Sequence, residues 1–130
     1  METHIVYVSL QGQGDSTNLR LRDSDGNDGV NDITTKVNPS DLVQWQVDTT
    51  PPNGATQIYS IEKVYKKPGH NPLNFSLLTA EPENIGDGVW QASVITPSLG
   101  KDKRELYNID FKRTSTDIIH TDDPKLQMNV

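Results

Sequence analysis

The residues from Asp23 to Asp28, Asp-Ser-Asp-Gly-Asn-Asp, bring three carboxylates and a carboxamide into six positions and are followed by Gly29. That density of oxygen suits calcium. A calcium loop supplies ligands at about 2.3–2.6 Å from positions 1, 3, 5, 7 and 9, with glycine at 6 and a bidentate acid at 12. Counted from Asp23, Asp25 and Asn27 take positions 3 and 5, but Asp28 stands where glycine belongs and Thr34 where the bidentate acid belongs. Counted so that Asp28-Gly29 fill positions 5 and 6, Ser24 and Gly26 fall at 1 and 3. A slip of one residue moves a ligand by about 3.8 Å, more than a coordination sphere tolerates. Asp-Gly is also a preferred hairpin pair, and Asp and Asn cap turns with their own side chains. The stretch therefore reads as a hairpin turning at Asp28-Gly29. Asp23, Asp25, Asn27 and Asp28 are the calcium candidates, and no metal or other cofactor is expected.

Other chemistry is sparse. His4, His70 and His120 fall in separate segments with no ligand pairing, and the chain has no cysteine. Thiolate metal sites, cysteine nucleophiles and disulfides are thereby excluded. There is no G-x-S-x-G elbow, no H-E-x-x-H and no phosphate-cradling glycine loop. Glu105 with Asp110, or Asp122 with Asp123, offers a carboxylate pair, but all four read as surface acids. No catalytic residue and no enzymatic activity is expected. Sugar rings stack on exposed aromatic faces, which singles out Tyr59 and Tyr65, ahead of the polar loop "KKPGHNP". Trp45 and Trp90 sit within alternating apolar series and read as core.

The net charge is −6, from 18 acids against 12 bases. That balance opposes nucleic-acid binding, which rewards dense Lys/Arg patches. Lys101, Lys103 and Arg104 are interrupted by Asp102 and followed by Glu105, as in a solvated loop. No apolar run approaches the ~20 residues of a membrane span. "METHIVYVSL" has no basic, apolar and small-residue leader pattern. The expectation is a cytoplasmic protein without a membrane or nucleic-acid partner.

Period-two alternation dominates the elements that must hold these groups. Val6, Val8 and Leu10 share one face, as do Leu19 and Leu21; Ile33, Thr35 and Val37; Val43, Trp45 and Val47; and Tyr59, Ile61 and Tyr65. Trp90, Ala92 and Val94 follow, then Tyr107, Ile109 and Phe111, then Leu126, Met128 and Val130. Half-buried strands give this pattern because successive side chains point to opposite faces. Pro- and Gly-rich segments such as "TPPNG", "AEPENIGDG" and "TDDPK" separate the runs. No segment sustains a helical period, and at most one short helical turn, near Pro82–Ile85, is expected. The reading is a single all-β domain over residues 1–130, an antiparallel Greek-key sandwich of seven to nine strands.

The segment "ITTKVNPSDLVQWQV" resembles the part of cupredoxin-like sandwiches where a short strand, a Pro-Asp turn and a Val-x-Trp strand follow one another. It covers about 15 of the 130 residues and implies an immunoglobulin-like or cupredoxin-like fold. A blue-copper site is excluded, because it needs a thiolate. Over the whole chain, "AEPEN", "YNIDFKR" and "DDPKLQMNV" resemble a group of small bacterial β-sandwich proteins with Glu-Pro and Asp-Pro signatures (DP-EP type). That resemblance implies an Asp-Pro turn before the closing strand and no activity.

The function expected is that of a non-enzymatic binding or structural module acting through protein contacts. A carbohydrate or calcium module is the alternative, and an enzyme of unknown type the third reading. Only 32% of residues are hydrophobic, and domains short of core gain stability by oligomerising, so a two-fold homodimer is expected. "HIVYVSL" carries Ile5 and Tyr7 opposite Val6 and Val8. Such a strand is either an open edge for a second copy or a central strand covered on both faces.

Overall fold

The alternating runs become strands throughout. The computed structural model describes residues 1–13 and 15–130, with twelve strands and no helix among them. They are β1 (Thr3–Gln11), β2 (Leu19–Asp23), β3 (Asp28–Val30), β4 (Thr34–Val37), β5 (Leu42–Val47) and β6 (Ala55–Thr56). The second half adds β7 (Ser60–Lys66), β8 (Glu83–Gly86), β9 (Val89–Ser93), β10 (Arg104–Lys112), β11 (His120–Asp122) and β12 (Lys125–Met128). The count exceeds the expected seven to nine because short strands such as β3, β6 and β11 form inside stretches that read as turns.

Two sheets result. The seven-stranded sheet runs β3-β2-β1-β5-β9-β8, with β6 pairing the end of β1 beyond β5. In the five-stranded sheet β10 is flanked by β7 on one edge and by β11 and β12 on the other, and β4 lies outside β12. Both sheets are mixed, which corrects the antiparallel expectation: β1 runs parallel to β5, and β12 parallel to β4. Alternation tells which face a side chain takes, not the direction of the neighbouring strand. The chain leaves β1, passes through β4 in the other sheet and returns as β5, and a crossover of that kind yields a parallel neighbour.

One core serves both sheets. Val6, Val8, Leu19, Leu21, Val43 and Trp45 from the first meet Tyr107, Ile109, Phe111, Leu126 and Met128 from the second, all essentially without solvent contact. Trp45 donates its indole N–H to the Tyr107 hydroxyl at 3.1 Å, with the rings edge-on at 5.4 Å. That contact satisfies both buried polar tips across the sheet interface. Trp90 is half-buried against the same core.

Four local expectations are overturned. β1 is central, between β2 and β5, so it is not an edge open to a second copy. Its outer face is partly covered by Arg22, whose guanidinium lies 4.3 Å from the Tyr7 ring centre. The helical turn at 82–85 is instead the exposed strand β8, folded onto β9 by Asp87-Gly88 with φ of 54° and 73°, the left-handed pair of a tight hairpin. The β2–β3 hairpin turns at residues 24–27, with Gly26 at φ 94°, while Asp28 and Gly29 already belong to β3. Last, Tyr59, Ile61 and Tyr65 do not share a face. The β7–β10 register shifts between Asp110 and Phe111, so β7 carries an extra residue that flips its alternation and buries Ile61 with Val64.

Candidate functional site

The four calcium candidates part company in the folded chain. Asp23, at the buried end of β2, receives Asp25 N–H and Asn27 N–H on Oδ1 (3.0 Å each). Its Oδ2 receives Asn27 Nδ2 at 2.9 Å and the Thr35 hydroxyl at 2.6 Å. Both oxygens are thus filled by protein donors, and they hold the turn. Asp28 is spent on Arg20, whose Nε and Nη2 donate to it at 2.6 and 2.9 Å. Asp25 turns the other way, to His4.

His4 has the partners that its sequence position does not announce. Its Nε2 lies 2.7 Å from Asp41 Oδ2 and its Nδ1 2.7 Å from Asp25 Oδ2, with Glu2 Oε2 3.4 Å from Nδ1. The strands bring them together: β1 carries His4, its antiparallel partner β2 ends beside Val6 and delivers the 24–27 turn, and parallel β5 brings the 38–41 turn. Burial acts to lower the His4 pKa, but the hydrogen bonds to Asp41 and Asp25 outweigh it and the net shift is upward. Burial acts to raise Asp41; the His4 contact and the backbone amides of Asn38 and Glu2 hold it below the usual range. His70 is exposed, and His120 packs on Phe111 with Nε2 3.3 Å from Asp117.

The acids read as surface pairs are not paired, and one of each couple, Glu105 and Asp122, is buried. Glu105 and Asp110 sit on opposite faces of β10: Glu105 shares the inward row of Tyr107 and Ile109, and Asp110 faces out to Tyr65 and Thr121. Burial pushes Glu105 up to about 7 although Leu77 N–H donates to it at 2.7 Å. Asp122 is also buried and pushed up to about 6, whereas Asp123 is exposed and bound to Lys67. The basic residues of 101–104 are dispersed as well, Lys103 over the Phe75 ring and Arg104 on Gln127.

A depression of about 400 Å³ opens where β5 and the β8–β9 hairpin of one sheet face β7 of the other. Its wall offers Gln46, Gln57, Thr49, Ser60 and Asp87 for hydrogen bonding, with Val47, Ile61 and Val89 beneath. Tyr59 lines it with 59% of its surface open to solvent. Tyr65, the other aromatic candidate, is half-buried, donates its hydroxyl to Asp110 at 3.0 Å and has Lys63 5.0 Å from its ring.

No protein-family model matches the chain, and no curated protein matches it. The site must therefore speak through its own geometry. Of the functional candidates that the sequence puts forward, Tyr59 alone lies in this depression, just ahead of β7. Gln46, Gln57 and Asp87 were not anticipated. Gln46 was legible as an outward residue of "LVQWQVD", but its meeting with Asp87, 41 positions on, follows from the β5–β9–β8 order.

Proposed function

We propose that the chain is a non-enzymatic binding module and that the cleft beside Tyr59 is its ligand seat, for a hydroxyl-rich ligand of the carbohydrate class. The observation that carries this reading is an exposed aromatic ring bordering a cleft rich in amides and hydroxyls. A sugar ring presents an apolar face to an aromatic and hydroxyls to polar neighbours, the same division of labour. The non-enzymatic part is supported by the carboxylates: no two of the acids put forward by the sequence share an opening at that cleft. Within this reading the fold is an immunoglobulin-like or cupredoxin-like sandwich of Greek-key type. The kinship with small DP-EP bacterial sandwiches is supported by the buried prolines of Glu81-Pro82 and Asp123-Pro124, the latter directly before β12.

A glycan panel titrated into the protein and followed by heteronuclear NMR tests the proposal. The expected outcome is saturable shifts at Gln46, Tyr59 and Asp87, lost at least tenfold in affinity by Tyr59→Ala with the melting temperature unchanged. No shift at these residues with any panel member would sink it.

Protein contact is the second reading, and the free outer edge of β8 favours it, all four of whose residues are exposed, Ile85 among them. An exposed edge offers unpaired backbone groups to another strand. A homodimer formed there would give a sedimentation mass near twice 14.5 kDa, returned to that of the single chain by Ile85→Lys.

A further inference from the structure

We propose that His4 Nδ1, Asp25 and Glu2 form a binding site for a first-row divalent cation, zinc being the best chemical match, with Asp41 as the residue that positions the imidazole. The argument begins at Asp41, which is 3% exposed. Its Oδ1 accepts Glu2 N–H at 2.9 Å, and its Oδ2 accepts Asn38 N–H at 2.9 Å together with His4 Nε2 at 2.7 Å. A carboxylate holding two amide donors is an acceptor, so Nε2 carries the hydrogen. That contact fixes ring orientation and tautomer, which is how a carboxylate behind a metal-bound histidine acts.

Nδ1 then faces Asp25 Oδ2 at 2.7 Å and Glu2 Oε2 at 3.4 Å. A ring nitrogen and two carboxylate oxygens do not converge without a cation between them. A proton on Nδ1 is the minimal one. It leaves three carboxylates (Glu2, Asp25 and Asp41) around a single positive charge, while a divalent ion with neutral imidazole supplies two. The donor atoms of Glu2, His4 and Asp41 all lie within 4.8 Å of one another; Asp41 holds the far side of the ring, and Asp25 joins through its 2.7 Å contact with Nδ1. Ligands on one tetrahedral zinc stand at about 2.0–2.2 Å from it and roughly 3.4 Å from one another; the Glu2 contact of 3.4 Å already has that length, and the 2.7 Å Asp25 contact must open by about 0.7 Å. Glu2, with 63% of its side chain exposed, is free to close.

Access and selectivity follow from the surroundings. His4, Asp25 and Glu2 border a cavity of about 380 Å³ that also includes Asn27, Lys36 and Asn38, with space for a water as fourth ligand. One imidazole with two carboxylates suits zinc or its neighbours, whereas calcium takes oxygen ligands alone. One acid of the calcium-like sequence thus serves a different metal, outside the loop that contains it.

The test uses the untagged protein and the metal ions alone. Calorimetric titration with Zn²⁺ should show one saturable site that raises the melting temperature, and Ca²⁺ at the same concentration should leave it unchanged. Co²⁺ should shift the ring resonances of His4 and spare those of His70 and His120. Glu2→Gln and Asp25→Asn should each weaken zinc at least tenfold. Glu2→Gln alters an exposed side chain and keeps the test valid if Asp25→Asn fails to fold. Absence of a zinc site in the wild type, wild-type affinity in either folded variant, or cobalt shifts at His70 or His120 instead would each overturn the proposal. Because the Tyr59 cleft shares no residue with this site, the sugar reading stands or falls separately.

Discussion

Asp48 and Glu105 are both buried carboxylates, one in each half of the molecule, and the chain treats them in opposite ways. Asp48, just past β5, is gripped by Arg22 from β2 through two bonds of 2.7 and 3.0 Å. Burial acts to raise its pKa, but Arg22 and the Thr50 amide overcome this and hold it low. Glu105, on β10, has the amides of Leu77 and Leu78 but no paired cation, and burial wins. Asp122 on β11 repeats the Glu105 case with only the amides of Asp123 and Leu19. An amide donor offsets part of the desolvation of a charge; a bidentate guanidinium offsets all of it.

The largest expected effect breaks this comparison from the Glu105 side. Its folded pKa of about 7 lies above the ordinary 4.5. Between those values the native state keeps a proton that the unfolded chain has lost, so stability falls as pH rises through the window. Asp122 does the same between 3.8 and about 6. Asp48, held low, acts in reverse: its contribution is present at neutral pH and lost on acidification. Stability should therefore peak in mild acid and decline towards pH 8. Glu105→Gln keeps an acceptor for the Leu77 amide and removes the cost of charging, so it should add up to about 3 kcal/mol at pH 8 and almost nothing at pH 4. Chemical denaturation across pH 4–8 reads both. A flat wild-type profile, or a gain independent of pH, would show that Glu105 is not the titrating group.

The second effect breaks the Asp48 side. Arg22→Ala leaves that carboxylate buried with only Thr50 as a donor, and it uncovers Tyr7. Breaking a buried pair costs about 3–5 kcal/mol. Arg22 is itself 34% exposed, so water can reach the vacated place and about 2 kcal/mol is expected. The loss should shrink at low pH, where Asp48 is protonated in the variant. An undiminished loss at pH 4 would assign it to the lost packing on Tyr7 rather than to the charge.

The reason these partners escape a reading of the sequence is visible residue by residue. The inward rows were legible: Val6, Val8 and Leu10 in β1, and Tyr107, Ile109 and Phe111 in β10, are all buried. The same period of two places His4 and Glu105 in those rows. Counting only apolar residues hides them, although a polar residue in an inward row is a signal that a partner is needed. Which partner it finds was not legible. Asp25 lies 21 positions from His4 and Asp48 lies 26 from Arg22, and register between strands, not local pattern, joins them. The Tyr59 cleft depends on a sheet order that alternation does not encode.

Asp23 sharpens the comparison, because it is a buried carboxylate with no cation at all and four donors in place of one or two. Three come from its own hairpin, the Asp25 and Asn27 amides and the Asn27 side chain, and the fourth, Thr35, lies on β4 in the opposite sheet. Thr35 has no solvent contact, so its hydroxyl ties the 24–27 turn to the far side of the core. Thr35→Val conserves shape and deletes that one donor. Hydrogen bonds to charged groups are worth about 1.5–3 kcal/mol, and the three remaining donors keep the oxygens occupied, so a loss near 1.5 kcal/mol is expected. Equilibrium denaturation reads the loss, and amide exchange at Asp25 and Asn27 shows whether the 24–27 turn has come loose from the core. A loss below about 0.5 kcal/mol, with the turn amides still protected, would show that the three hairpin donors hold Asp23 by themselves and that the bond across the core adds nothing.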